Sequence, residues 1–220
     1  MKRPRILLAD DHRIVVEGLR GLLEPEFEIV GIVEDGRALL EAAEKLRPDV
    51  IVADISMPLL NGIDSVRQIK KTNEEIKVVF LTMHPDVTYA ASAFEAGASG
   101  YVLKHSAPSE LVTAIQSVLR GKTYVTPLLA GELMQFYKER PEKRNELGKL
   151  TRRQSEVLQL LAEGRTAKEI AAILKISPRT VEFHKYRIMS DLGITNGAEL
   201  VQYAIRHGIA GQSVIKPGNK

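Results

Sequence analysis

Short apolar runs alternate with stretches of mixed polarity through the first 120 residues. Five runs recur: ILLA (6–9), IVGIV (29–33), VIVA (50–53), VVFL (78–81) and YVL (101–103). Each is brief, rich in β-branched side chains and lacks clean in–out alternation, the signature of a strand buried on both faces. The intervening segments carry helical spacing. In 12–24, Val16, Leu19, Leu22 and Leu23 repeat at three- and four-residue intervals, and 37–46, 63–71, 86–96 and 108–120 behave alike. Strand and helix alternating in this way predict a five-stranded parallel sheet, doubly wound, with helices on both faces.

The rhythm breaks at 121. GKTYVTP reads as a turn-rich entry, LLAGELMQFY as a short helix, and KERPEKRNELGK as a charged, flexible connector. From 150 the pattern is wholly helical and well punctuated. Thr151 with Gln154 forms a capping box before a stripe of Val157, Leu158, Leu160 and Leu161, and Gly164 ends that helix. Thr166 with Glu169 opens a second, short helix. Ser177 caps a third, with Pro178 at its first position, and Gly193 stops it; Asn196 with Glu199 opens a fourth. The turn Lys175–Ile176–Ser177 between the second and third makes a helix-turn-helix. The expected organisation is therefore an α/β domain over 1–120, a linker over 121–148 and an all-α four-helix domain over 149–214.

Composition narrows the setting. The chain is 44% hydrophobic and 27% charged, ordinary values for a soluble protein, and no run approaches the roughly 18 apolar residues of a membrane span. The apolar run after MKRPR is too short for an export signal, so a cytoplasmic location without membrane association is expected. With no cysteine, disulfides and thiolate metal sites are excluded. The net charge of +3 conceals an asymmetry. Residues 1–120 hold 14 Lys/Arg against 18 Asp/Glu, giving −4, whereas 121–220 hold 17 against 10, giving +7. A basic second half suits attraction to a phosphate backbone.

In open parallel sheets ligands bind beyond the carboxyl ends of the strands. Asp10 and Asp11 follow the first run, Asp54 the third, Thr82 the fourth and Lys104 the fifth. Alone, each has an ordinary explanation: a helix cap, a strand-end hydroxyl, a surface lysine. Together they form a constellation. Three close carboxylates repel one another unless a hard cation sits among them, and oxygen-only ligands suit Mg²⁺. Such a site can clamp a phosphoryl donor while a carboxylate acts as nucleophile. Thr82 can hydrogen-bond a phosphoryl oxygen and Lys104 can pair with another. His12, His84 and His105 have no ligand spacing and are expected to be exposed loop or helix-start residues.

DD (10–11), DISMPLLNG (54–62), LTMH (81–84) and GASGYVLKHS (97–106) resemble the receiver domain of bacterial two-component response regulators, a CheY-like, flavodoxin-like fold. The resemblance implies that Asp54 is the phosphoacceptor. It further implies that Asp11 ligates Mg²⁺ directly, Asp10 through water and Ser56 through its backbone carbonyl. Thr82 and Tyr101 take the positions of the family's switch pair, and Pro58 and Gly62 those of the loop after the acceptor. Residues 149–211 resemble the LuxR-type DNA-binding domain, and a receiver followed by this domain is similar to the NarL/FixJ class. The implied partners are a sensor histidine kinase, double-stranded promoter DNA and, on phosphorylation, a second copy of the chain.

The third helix of the second domain has two faces. Val181, Ile188 and Leu192 share an inward stripe; Arg179, Glu182, Phe183, Tyr186, Arg187 and Ser190 lie opposite. An exposed Phe and Tyr among basic residues suits a helix lying in a major groove. Arg179, Thr180, Lys185 and Arg187 are expected on the DNA side, the last three at phosphates; Glu182, Phe183 and Tyr186 are expected at base edges. Glu182 stands where the family commonly has lysine. Glutamate repels phosphate but can accept from cytosine N4, so DNA binding carries over and base preference does not. His184 falls toward the buried side. Two other readings stand beside this one: an aspartyl-phosphate phosphatase, disfavoured because DISMP has no second acid two positions after Asp54, and a DNA-binding protein whose first domain is never phosphorylated. The first expectation is of a regulator of transcription rather than an enzyme.

Overall fold

The computed structural model describes residues 3–139 and 150–210, and the chain divides into two compact units, Met1–Pro141 and Glu142–Lys220. The first contains β1 (Arg5–Ala9), α1 (Arg13–Leu23), β2 (Glu28–Val33), α2 (Gly36–Leu46), β3 (Val50–Ala53), α3 (Gly62–Thr72), β4 (Lys77–Thr82), α4 (Val87–Glu95), β5 (Gly100–Leu103), α5 (Ala107–Leu119), β6 (Tyr124–Val125) and α6 (Pro127–Glu139). The strands pair in parallel in the order β2-β1-β3-β4-β5-β6.

Strand pleating sends alternate residues to opposite faces. Leu7, Ala9, Ile51, Ala53, Val78, Phe80, Tyr101 and Leu103 face one core with residues of α2, α3 and α4. Ile6, Leu8, Val50, Val52, Val79, Leu81 and Val102 face the other with residues of α1 and α5. That two-sided burial is why the strand sequences show no polar alternation.

The sheet has six strands among the described residues, where the apolar pattern predicts five. β6 is only two residues long and follows a glycine turn, too little for periodicity to register. It is held by the backbone: the Tyr124 N–H donates to the Ser99 carbonyl (3.1 Å) and the Thr126 N–H to the Tyr101 carbonyl (2.9 Å). The Thr126 hydroxyl accepts from the Leu103 N–H (3.1 Å) and donates to Glu110 (2.9 Å). The short helix expected over 128–137 is α6. It packs on α4 and places Leu129 and Leu133 in the core shared with β5. The segment to 139 is thus part of the first unit, while residues 140–149 of the charged connector lie outside the described residues. Leu133→Ala is expected to cost the first unit about 2–5 kcal/mol by thermal denaturation, as for other buried leucines; a change within about 0.5 kcal/mol would show α6 to be a loose tether.

The second unit comprises α7 (Arg152–Ala162), α8 (Ala167–Leu174), α9 (Pro178–Leu192) and α10 (Gly197–Arg206). Reciprocal capping boxes start α7 at Thr151/Gln154 and α8 at Thr166/Glu169. The side chains of Ser177 and Asn196 accept the capping N–H of Thr180 and Glu199. Left-handed Lys175 and Gly193 end α8 and α9. Each cap falls where the sequence places it.

Candidate functional site: an acid pocket and an exposed helix

β1 lies between β2 and β3, and both pairings continue one residue past the strands: the Asp54 N–H donates to the Ala9 carbonyl (2.8 Å), and on the other side the Asp10 N–H donates to the Val33 carbonyl of β2 (3.1 Å). These bonds bring Asp10 and Asp54 side by side at the carboxyl end of the sheet. Both are buried, and Lys104, just past β5, reaches between them, with Nζ 2.7 Å from Asp10 Oδ2 and 2.7 Å from Asp54 Oδ2. Asp54 Oδ1 accepts from the Ile55 N–H (2.6 Å) and the Ser56 N–H (3.4 Å). Burial draws the Lys104 pKa down, but the Asp54 charge and the hydrogen bonds to Asp10 and Asp54 outweigh it and leave it above the ordinary value.

Ligand atoms of Asp10, Asp11, His12 and Asp54 lie within 4.8 Å of one another. Asp11 Oδ1 is buried and makes no hydrogen bond; His12 Nδ1 lies 2.9 Å away, an ion-pair distance without hydrogen-bond geometry. Burial raises the Asp11 pKa, opposed by His12 and reinforced by the charges of Asp10 and Asp54. A carboxyl whose folded value is raised favours the fold at low pH and withdraws that support as pH climbs through the carboxylate range. An orphaned carboxylate oxygen within a mainly oxygen-donor set is what a small hard cation relieves. The residues fit Mg²⁺.

Thr82 is buried at the end of β4, and its hydroxyl accepts from the His84 N–H (3.2 Å). The Tyr101 ring is fully buried, and its hydroxyl donates to the His84 carbonyl (2.8 Å). Burial first, then the charge of Asp86, pushes the Tyr101 pKa far up, so it remains a donor at all working pH.

His84 corrects the expectation that it is exposed. It is half-buried, its Nε2 lies 2.9 Å from Ser56 Oγ, and its ring stacks on Tyr89 with centroids 4.4 Å apart. Burial lowers its pKa, against the pull of Asp54 and Asp86, so the ring is neutral at pH 7. It links the loop after Asp54 to α4 and to Tyr101. A lone loop histidine carries no period, and only the nearness of Ser56 in space reveals it. His12, by contrast, is exposed at the start of α1 as expected. Thr126 was also missed, since its partners Tyr101 and Leu103 lie more than twenty residues away.

In the second unit α9 is anchored by Val181 and Ile188, both fully buried, with Leu192 partly covered. The opposite face is open: Phe183 is 61% exposed and Tyr186 66%, with Arg179 and Arg187 exposed beside them. Arg187 lies 3.5 Å from Asp191, and Lys185 lies 3.8 Å from Glu182. Thr180 sits at the capped end, its hydroxyl 2.8 Å from that of Ser177. His184 is partly buried, on the side expected.

A family model described as response regulator receiver domain matches residues 6–116, and one described as bacterial regulatory proteins, luxR family, matches 148–204. The transcriptional regulatory protein DegU of Brevibacillus brevis is 34% identical over 221 residues, covering 93% of this chain and 94% of its own. The chain belongs to the NarL/FixJ class of response regulators. The regulator is also 32% identical to response regulator UvrY of Escherichia coli (strain K12) over 206 residues, covering 93% of this chain and 94% of UvrY. Among solved structures, the RcsB response regulator of Salmonella typhimurium matches the regulator with a TM-score of 0.66 at 30% identity, over 94% of this chain and 99% of RcsB. An RcsB–DNA complex matches with a TM-score of 0.58 at 30% identity, over 98% of this chain and all of that one. Membership makes the regulator a transcriptional one, with a receiver domain and a LuxR-type helix-turn-helix domain.

Proposed function

We propose that the regulator accepts a phosphoryl group on Asp54 from a sensor histidine kinase, forms a homodimer in response and binds promoter DNA through α9. In this reading it works in the cytoplasm as a switch and turns over no small substrate of its own; no helix among the described residues is long and apolar enough to cross a membrane. The observation that carries the proposal is the joining of Asp54, Asp10 and Lys104 at 2.7 Å contacts beside the orphaned Asp11 oxygen.

An Asp54 carboxylate oxygen attacks the donor's phosphorus while the bond to the leaving imidazole breaks, giving an acyl phosphate. Asp11, Asp54, the Ser56 carbonyl and, through water, Asp10 would hold Mg²⁺. Bound there, it supplies neutralisation of charge on the transferring oxygens. Lys104 offers a charged donor to one phosphoryl oxygen and Thr82 a hydroxyl to another. The Thr82 oxygen that would donate its proton to phosphate also accepts from the His84 N–H, so a shift of this hydroxyl toward the phosphoryl group pulls on His84, the residue whose carbonyl holds Tyr101. Phosphorylation is thereby felt along the segment from Thr82 to α4. The phosphoryl group shifts the equilibrium only by binding one arrangement of this segment better than another. On DNA, Arg179, Thr180, Lys185 and Arg187 lie toward the backbone while Glu182, Phe183 and Tyr186 face base edges. RcsB has been solved bound to promoter P1flhDC in the presence of the phosphomimetic BeF3− and as two dimers bound to two parallel DNAs, which supports DNA binding by a dimer in this reading.

Acetyl phosphate with Mg²⁺ is expected to add one phosphoryl group to the wild-type chain, seen by intact-protein mass spectrometry, and none to Asp54→Asn. Equal labelling of the variant would refute the assignment.

A further inference from the structure

On the reading that α9 lies in the major groove, we propose that Glu182 selects a cytosine at one fixed position in each half-site, with a thymine methyl received by Phe183 beside it. The orientation of the helix is set from within: Ser177 caps its amino end, accepting from the Thr180 N–H at 3.1 Å, and Val181 and Ile188 are buried without exposure. Glu182, Phe183 and Tyr186 then form one outward patch, because residues three and four apart on a helix are surface neighbours.

A carboxylate on such a patch is an anomaly of charge. It would face a polyanion, and every phosphate it nears opposes binding. The Glu182 side chain is 42% exposed, and its companion Lys185 lies 3.8 Å away, beyond the 2.7–3.2 Å of a hydrogen bond. Lys185 therefore offsets the charge while leaving the carboxylate oxygens able to accept. The only acceptor-seeking groups on the groove floor are the exocyclic amines, cytosine N4 and adenine N6. Adenine presents its N7 lone pair next to N6, which repels a carboxylate and suits an amide instead. Cytosine presents N4 beside a carbon edge. Cytosine is thus the base that glutamate distinguishes. Phe183 has no polar atom to offer, and the thymine C5-methyl is the one apolar feature of the major groove. Glu182 therefore acts in specificity, against a general attraction supplied by the basic residues around it.

Selection from a random double-stranded library, using the full phosphorylated chain, tests the idea against Glu182→Ala and Glu182→Gln. Both changes lie on an exposed face and leave the buried anchors of α9 untouched. The wild-type protein is expected to enrich one cytosine per half-site, with about 5- to 150-fold discrimination at that position. Glu182→Ala should reduce this to less than about threefold while the rest of the motif persists. Glu182→Gln should move the preference to adenine, which offers the N6–N7 pair to an amide. Retention of the same cytosine by Glu182→Ala would overturn the proposal and leave the DNA-binding reading intact. A library returned with no enriched motif from the wild-type chain would overturn that reading, and this inference with it.

Discussion

Lys104→Ala is expected to destabilise the Mg²⁺-free protein by about 3–5 kcal/mol, the usual cost of removing one partner from a buried charge cluster. Lys104 is nearly buried, and its amine is the cationic side chain in direct contact with both Asp10 and Asp54. Without it, their carboxylates and that of Asp11 remain together, with the His12 ring beside them. Added Mg²⁺ should then recover much of the loss, since about 100 times its Kd contributes about 2.7 kcal/mol by mass action. Urea denaturation with and without Mg²⁺ gives both numbers. The wild-type pH profile supplies an independent check. The Lys104 pKa is raised by folding, so its contribution is complete below the ordinary lysine value and is lost as the solution is made alkaline through the raised one. A variant as stable as the wild type without Mg²⁺ would show that the acids are not charged together.

The second large effect is expected from Gly62→Ala. A Cβ at this position would stand 2.1 Å from the Asp54 carbonyl oxygen and 3.0 Å from a Phe80 ring carbon. The first of these atoms is backbone and cannot rotate aside, so the loop carrying Asp54 must move. Overpacking of this kind costs about 1–3 kcal/mol. A displacement of about 1 Å at a reacting group can slow its chemistry about 100-fold. Phosphorylation by acetyl phosphate, followed by mass spectrometry on protein that circular dichroism shows to be folded, separates the two effects. An unchanged rate in a folded variant would mean that the loop yields without disturbing Asp54.

The positions of Asp10, Asp11, Asp54, Thr82 and Lys104 could be read from the chain because strand ends are marked by composition, and a parallel sheet gathers those ends on one edge. The caps of α7, α8, α9 and α10 could be read for a related reason: a cap is a local bargain between a side chain and backbone three residues on. What escaped was non-local or against propensity. Leu59 has a left-handed φ of +65°, and the Leu60 N–H closes on the Pro58 carbonyl at 2.7 Å. That conformation favours glycine or asparagine, and nothing in the letters announces a leucine there. His84 gained its place from Ser56, 28 residues earlier. β6 gained its place from β5 through backbone groups that every sequence possesses.

β6 also governs how the receiver can be handled in isolation. A fragment ended at residue 120, where the amphipathic rhythm stops, would uncover the outer margin of β5. It would strand the carbonyls of Ser99 and Tyr101 and the amide of Leu103 without their present companions, and bare the apolar surface beneath Leu129 and Leu133. Such an open margin invites sheet extension by other molecules. A receiver fragment that keeps this margin and this surface covered carries the chain through residue 139, the end of α6.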